Sequence, residues 1–392
     1  MRLRVLPVVL AAALVATTAW VAPAQAAAPT ARCVASGPAR GTAAQIVGIA
    51  ESVRRDLGLR AAIVRVTVGG REVVTAAIGD SMTGIPATTD MRFRTGSVGI
   101  AYLNILLLQL VDKGVVSLDQ PIARWFPNLP RSTKVTLRML GSNTSGYPDF
   151  ESYRPFVQRL YADPFQNWTE QEVIDLALAR NLWYEPGTNW SYSHANFVIL
   201  GRILERITRT PSKQLLTRDV LNPLRLSATV INATAAIPDP VLHGYTIERG
   251  VFEDSTYWNP SWTTAHGAIL TQNICDLATS ARAVGAGRLI SARSLRTQIN
   301  PGTVGLGGPT KTCPATICVK QTVEHHYGLG VSVKNGWIQQ TPSFAGYSAA
   351  QSYLPGKDIA VAVATSRGRT TTETNSAPII AEKIGALVSS QT

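Results

Sequence analysis

Apolar residues at Ile46, Ile49, Ala50, Val53 and Leu57 recur at the spacing of one helix face, which predicts a helix over 43–57. The pattern then changes. Residues 62–68 and 73–78 are β-rich runs joined by Gly69-Gly70, a hairpin signal. A more uniformly apolar helical stretch follows, ending at Leu110-Val111-Asp112-Lys113-Gly114. Amphipathic helices are predicted over 170–180 and 197–207, and further helices over 212–220, 273–284 and 292–299. The late part of the chain returns to strands at 328–333, 336–340, 347–353 and 359–365, and closes with a helix over 377–388. Lys334-Asn335-Gly336 reads as a hairpin turn. This order implies an α/β (α+β) fold: an antiparallel sheet built from both chain ends, flanked by helices, with a helical subdomain inserted. The sheet part covers 27–95 and 250–392, the helical part 96–249, and together they form one domain. No internal repeat is visible.

The first residues modify that picture. Met1-Arg2-Leu3-Arg4 is basic, Val5 to Val21 is apolar, and Pro23-Ala24-Gln25-Ala26 ends in an Ala-x-Ala pattern. Together they read as a secretory signal over 1–26, cleaved after about Ala26. No other stretch is long and apolar enough to span a bilayer. The formal charge of +12 falls to +10 once Arg2 and Arg4 leave. A basic surface suits either solubility or proximity to anionic wall polymers. Nucleic acid is not favoured, because no basic run is interleaved with aromatics. Four cysteines in an exported chain point to disulfides, Cys313 with Cys318 and Cys33 with Cys275. No histidine spacing completes a metal site, and no cofactor is implied. His325-His326 reads as loop or strand surface.

Several segments carry chemistry. Arg92-Phe93-Arg94-Thr95-Gly96-Ser97 leads into the apolar helix, Val116-Ser117-Leu118-Asp119-Gln120-Pro121-Ile122 follows it, and Ser142-Asn143-Thr144-Ser145-Gly146 comes next. Tyr184-Glu185-Pro186-Gly187 precedes Tyr192-Ser193, and Phe344-Ala345-Gly346-Tyr347-Ser348 lies in the late strands. In this order, over roughly residues 40 to 390, the set resembles the serine β-lactamases and penicillin-binding D-alanyl-D-alanine carboxypeptidases. The resemblance implies acyl transfer: a serine attacks a carbonyl, lysine and tyrosine handle its proton, and two backbone N–H groups hold the oxyanion. It implies substrates such as D-alanyl peptides, β-lactams or small esters and amides.

Each of the three family motifs departs from its pattern. In the first, Ser97 is present, but Ile100 stands where lysine would lie one turn on, facing the same pocket and making it more apolar. Ser97 is the nucleophile on this reading, or a helix N-cap without catalytic role. In the second, Tyr192-Ser193-His194 replaces Tyr-x-Asn. Tyr192 has an ordinary pKa of about 10 and no lysine to lower it. His194 is either a replacement base for Ser97 or a residue drifting under no catalytic demand. Asn196 would take the asparagine position if the register slipped by two. In the third, Gln340, Thr341 and Pro342 stand for Lys-Thr-Gly. A substrate carboxylate thereby loses its cation, and Ser343 still presents a backbone N–H for the oxyanion beside that of Ser97.

Three functions compete. The first is a secreted, catalytically impaired relative that binds or scaffolds at the cell envelope, taking a cell-wall peptide or a small ester or amide. The second is a rewired serine hydrolase using Ser97 with Tyr192 or His194. The third is a structural domain without a ligand. Cleft geometry separates them: His194 within hydrogen-bond reach of Ser97 favours the second, and a cleft filled by Ile100, Pro342 and aromatics favours the third.

Overall fold

The structure is a computed structural model that describes residues 33–392. The signal predicted over 1–26 lies outside the described residues. The first helix is Thr42–Asp56 and the hairpin is Ala61–Val68 with Arg71–Met82. The hairpin joins a nine-stranded sheet. Its order runs Ile85–Pro86, Arg71–Met82, Ala61–Val68, Ile359–Ser366, Tyr347–Leu354, Trp337–Gln340, Ser332–Lys334 and His325–Tyr327, with Ser343–Phe344 paired additionally to Tyr347–Leu354. All pairings are antiparallel. The two chain ends meet where Ile63 faces Ala364 and Val66 faces Val361.

Alternation along the central strands assigns each face its partner. Ala62, Val64, Val66, Val361 and Val363 pack with Ile46, Val53, Ile380 and Ile384, from Thr42–Asp56 and Ala377–Gln391. Ala61, Ile63, Ala362 and Ala364 belong to the second and larger core, which includes Leu277 and Ala278 of helix Ile274–Gly285. A strand buried on both faces is close to continuously apolar, and Ile359–Ser366, apolar as far as Ala364, is buried throughout. That larger core also takes in helix Val98–Asp112, whose residues from Val98 to Leu108 are all buried. A helix apolar all round is a core helix.

The late strands include Ser343–Phe344, which was not read from the sequence, and differ from the reading at one further place. Residues 328–331 are a loop between His325–Tyr327 and Ser332–Lys334. Gly330 has φ 68°, and a Cβ there would lie 2.4 Å from Asn104 Nδ2, so this loop is pressed against the Val98–Asp112 helix. Lys334 pairs with Trp337 across the turn at Asn335 and Gly336, both with positive φ. Helix Arg154–Ala162, with Pro155 in its first turn, was not read from the sequence. The short strands Phe93–Arg94 and Leu270–Gln272, paired with each other, were also missed. No helix among the described residues is long and apolar enough to cross a membrane.

Both expected disulfides form, Cys33–Cys275 and Cys313–Cys318. The first ties the start of the described chain to helix Ile274–Gly285 across 242 positions. Replacing both Cys33 and Cys275 by serine is expected to cost about 2–4 kcal/mol, mainly by freeing the unfolded chain. Urea unfolding under oxidising conditions measures this; an unchanged midpoint and slope would contradict it.

Candidate active site

Ser97 sits immediately before helix Val98–Asp112 and lines an open cleft of about 350 Å³. Gly96 has φ 46°, and a Cβ there would fall 2.7 Å from Cβ of Pro342. Only glycine combines that backbone conformation with that approach. Pro342 therefore brings the third motif beside the first. Ser97 occupies the N-cap position, but its side chain makes no capping bond. Its hydroxyl instead shares a 3.0 Å hydrogen bond with the Tyr192 hydroxyl. Ser97 and Ser343, whose backbone N–H groups the resemblance assigns to the oxyanion, both line the cleft.

The structure corrects the expected place of Ile100. Its side chain is fully buried in the larger core and does not line the cleft. The cleft is open rather than filled, and its aromatic lining is Trp262, Tyr192 and Tyr327. Tyr192 is held well above its ordinary pKa of 10, first by burial and then by neighbouring Tyr327; the bond to Ser97 opposes this only in part. A phenol that keeps its proton this firmly donates to Ser97 or accepts from it, but does not deprotonate it.

His194 does not reach Ser97 by a hydrogen bond. It is the first residue of helix His194–Thr208, and its Nδ1 lies 2.9 Å from Oδ2 of Asp149 and 3.6 Å from Oε2 of Glu151. Its ring meets that of Tyr192 edge-on, with centroids 5.0 Å apart. Burial disfavours the imidazolium, yet the charges of Asp149 and Glu151 and the bond to Asp149 outweigh it and raise the His194 pKa to about 9. A cation at a helix N-terminus is electrostatically misplaced, so the two carboxylates are what hold it there. At neutral pH His194 is therefore an imidazolium committed to Asp149, with no lone pair to offer as a base. Asp149, Glu151 and His194 offer three ligand atoms within 4.8 Å of one another and could hold a divalent cation in place of that proton.

Asn196 lies off the cleft. Its Oδ1 accepts from Ser145 Oγ at 2.6 Å and its Nδ2 donates to Asn143 Oδ1 at 2.9 Å. Asn143 Oδ1 also accepts the Ser193 backbone N–H at 3.1 Å, so this network fixes the Tyr192-Ser193-His194 turn from behind. In the third motif, Gln340 Nε2 donates to Gly330 O at 2.5 Å, which turns the amide toward the loop over the core helix. His325, expected at the surface of a loop or strand, is on a strand and exposed, yet it lines the cleft. Its neighbour His326 is buried, contrary to that reading, with both ring nitrogens on backbone carbonyls of Thr322 and Ile299. Asp149 and Glu151 were not read from the sequence. Their signal was weak: two acids in a short Pro148-to-Tyr153 segment that looks like any turn.

Comparison with known proteins comes to the same scaffold. The family profile described as Beta-lactamase matches residues 31–385. Penicillin-binding protein 4* of Bacillus subtilis (strain 168) is 24% identical over 166 residues, 40% of this chain and 34% of that protein. Esterase EstB of Burkholderia gladioli is 29% identical over 195 residues, 46% of this chain and 50% of that protein. The matches thus span a third to a half of these curated relatives. Among solved structures, D-amino acid amidase from Ochrobactrum anthropi SV3 with L-phenylalanine amide superposes with TM-score 0.73 at 21% identity, covering 89% of this chain and 99% of that one. At that identity the likeness is one of fold.

The His194–Asp149 pair makes a pH prediction. The His194 pKa is raised from 6.5 to about 9 on folding, so its stabilisation is complete below about pH 6.5 and lost as pH rises through 9. Asp149→Asn is expected to cost roughly 3 kcal/mol at pH 6. It should also flatten the fall in urea midpoint between pH 7 and pH 10. A parent and variant with parallel pH profiles would rule this pairing out.

Proposed function

Since this chain belongs to the β-lactamase family, we propose that it is an exported serine-hydrolase-fold protein whose cleft binds a carbonyl ligand at the cell envelope and does not turn it over by the family mechanism. The observation that carries this reading is the Ser97–Tyr192 hydrogen bond: the only hydrogen-bond partner of the Ser97 hydroxyl among the described residues is a phenol that retains its proton. Attack by serine requires that its proton leave. The residue one turn on is a buried isoleucine, and the nearby imidazole is already protonated and paired. Losing one member of such a cooperative unit costs on the order of 10⁴–10⁶ in turnover.

The open cleft supports binding over a purely structural role. The names of the relatives suggest the ligand class, a peptide or a small ester or amide. The basic and apolar start and the two disulfides support export. A second reading, an active hydrolase built on Ser97 and Tyr192, is favoured by their 3.0 Å contact in a cleft open to solvent.

Intact-protein mass spectrometry after saturating treatment with a fluorescent penicillin, and separately with a fluorophosphonate, decides between them. No adduct is expected, whereas wall-peptide fragments should raise the melting temperature. Stoichiometric labelling that disappears in Ser97→Ala would establish the active hydrolase instead.

A further inference from the structure

Arg94 is a buried cation with no counter-ion among the described residues. It ends the short strand Phe93–Arg94, three positions before Ser97, and is only 2% exposed. Nη2 donates to the carbonyls of Thr234 at 3.1 Å and Ala235 at 2.6 Å. Nε and Nη1 are buried and have no hydrogen-bond partner among the described residues. Burial lowers the Arg94 pKa only to about 10, so the guanidinium is charged at neutral pH. The ionisable neighbour that acts on it is Tyr347, a buried phenol that keeps its proton. Arg138 and Arg282 are better solvated, yet each binds a carboxylate through two nitrogens. Taking a charge out of water is costly unless it is paired, and two carbonyl dipoles on one nitrogen offset only part of that cost.

A space lies beside this residue. Arg94 lines a cavity of about 10 Å³ with Gly96, Pro260, Thr263, Ile269 and Phe344. That is room for one atom-sized occupant and too little for a phosphate, sulfate or carboxylate group. Arg94 pairs with Thr271 across the small sheet, so their side chains share a face, with Ile269 two residues on. Gly96 has no side chain to fill the space. Thr271 Oγ1 is also buried without a partner among the described residues. The Thr263 hydroxyl is engaged by the Pro260 carbonyl at 2.8 Å. This face therefore offers guanidinium N–H groups and one hydroxyl as donors. A water would accept from two of them and then have two hydrogens of its own to place, with the Thr271 oxygen as the free side-chain acceptor. An anion accepts from every donor and has no hydrogen to place.

We propose that Arg94 and Thr271 hold a single monatomic anion, chloride in ordinary media, in this cavity behind the turn that carries Ser97. Bound there, the anion offsets the guanidinium charge and fixes the Phe93-to-Ser97 segment against residues 234–235 and 271. Gly96 and Thr263 line both this cavity and the cleft, so they alone separate the anion from it at that point. The site is independent of whether Ser97 reacts.

Crystals grown with sodium bromide in place of chloride, measured at the bromine absorption edge, test this directly. An anomalous peak is expected within hydrogen-bonding reach of Arg94 Nε or Nη1. Peaks confined to surface arginines, or density in the cavity without anomalous signal, which marks a water, would overturn the proposal. Urea unfolding at constant ionic strength, with chloride exchanged for gluconate, reads the same site in solution. Above the dissociation constant, each tenfold rise in chloride should shift the folding equilibrium constant about tenfold. Gluconate, too large for the cavity, should not substitute. Arg94→Met should abolish the chloride dependence, and if that variant does not fold, the bromide map of the parent decides. A parent whose midpoint ignores chloride, or a dependence that survives Arg94→Met, would sink the proposal.

Discussion

Burial of helix Val98–Asp112 is the constraint on which the site depends. Eleven consecutive residues of this helix, from Val98 to Leu108, are removed from solvent. Such a helix has no polar face on which to keep an amine. A lysine ammonium buried there without partners would cost several kcal/mol. A buried isoleucine contributes about 1.5–3 kcal/mol instead. Some of the nearby polar side chains are engaged elsewhere, while Asn104 Oδ1 is buried without a hydrogen-bond partner among the described residues. Asn104 Nδ2 donates to the Ile100 carbonyl at 3.0 Å, Asn196 donates to Asn143 Oδ1 at 2.9 Å while Asn143 Nδ2 has no partner among the described residues, and Asp149 is paired with His194.

Electrostatics then follow from which groups share a low-dielectric space. Tyr192, Tyr327 and His194 sit side by side, and burial acts on the charged form of each. Asp149 and Glu151 reverse the effect at His194, where the charged form is a cation, and add to it at Tyr192, where it is an anion. The positive charge of the site is therefore stored one residue pair away from the nucleophile. It organises the Pro148-to-Tyr153 segment rather than activating Ser97.

The fold was legible because its signals are periodic. The apolar, β-rich runs at 62–68 and 359–365 and the helical spacing in 43–57 each reflect surface that must be buried. Asn335-Gly336 was legible because few residue pairs accept two successive positive φ values. The loop at 328–331 was not, because apolar residues there serve packing against the core helix rather than strand pairing. Within the site, Ser97, Tyr192 and His194 were readable as motif positions. Their roles were not, since these depend on Asp149 and Glu151, which lie more than forty residues away from His194 in sequence. The inward turn of Ile100 also escaped, because spacing along a helix gives relative directions and not which direction is the cleft.

The two disulfides differ sharply in how they can be made. Cys313 and Cys318 are separated by five positions, so they meet as soon as that short loop has formed. Cys33 must wait until Cys275 has been made, with six of the nine strands of the sheet still to come. Loop closure over such a span is entropically slow unless the sheet and the 274–285 helix have begun to associate. As the chain is made, Cys33 is thus the thiol that stays unpaired longest, and indiscriminate oxidation before Cys275 follows would trap it with the wrong partner. Production of this protein is therefore a matter of disulfide reshuffling capacity as much as of expression level.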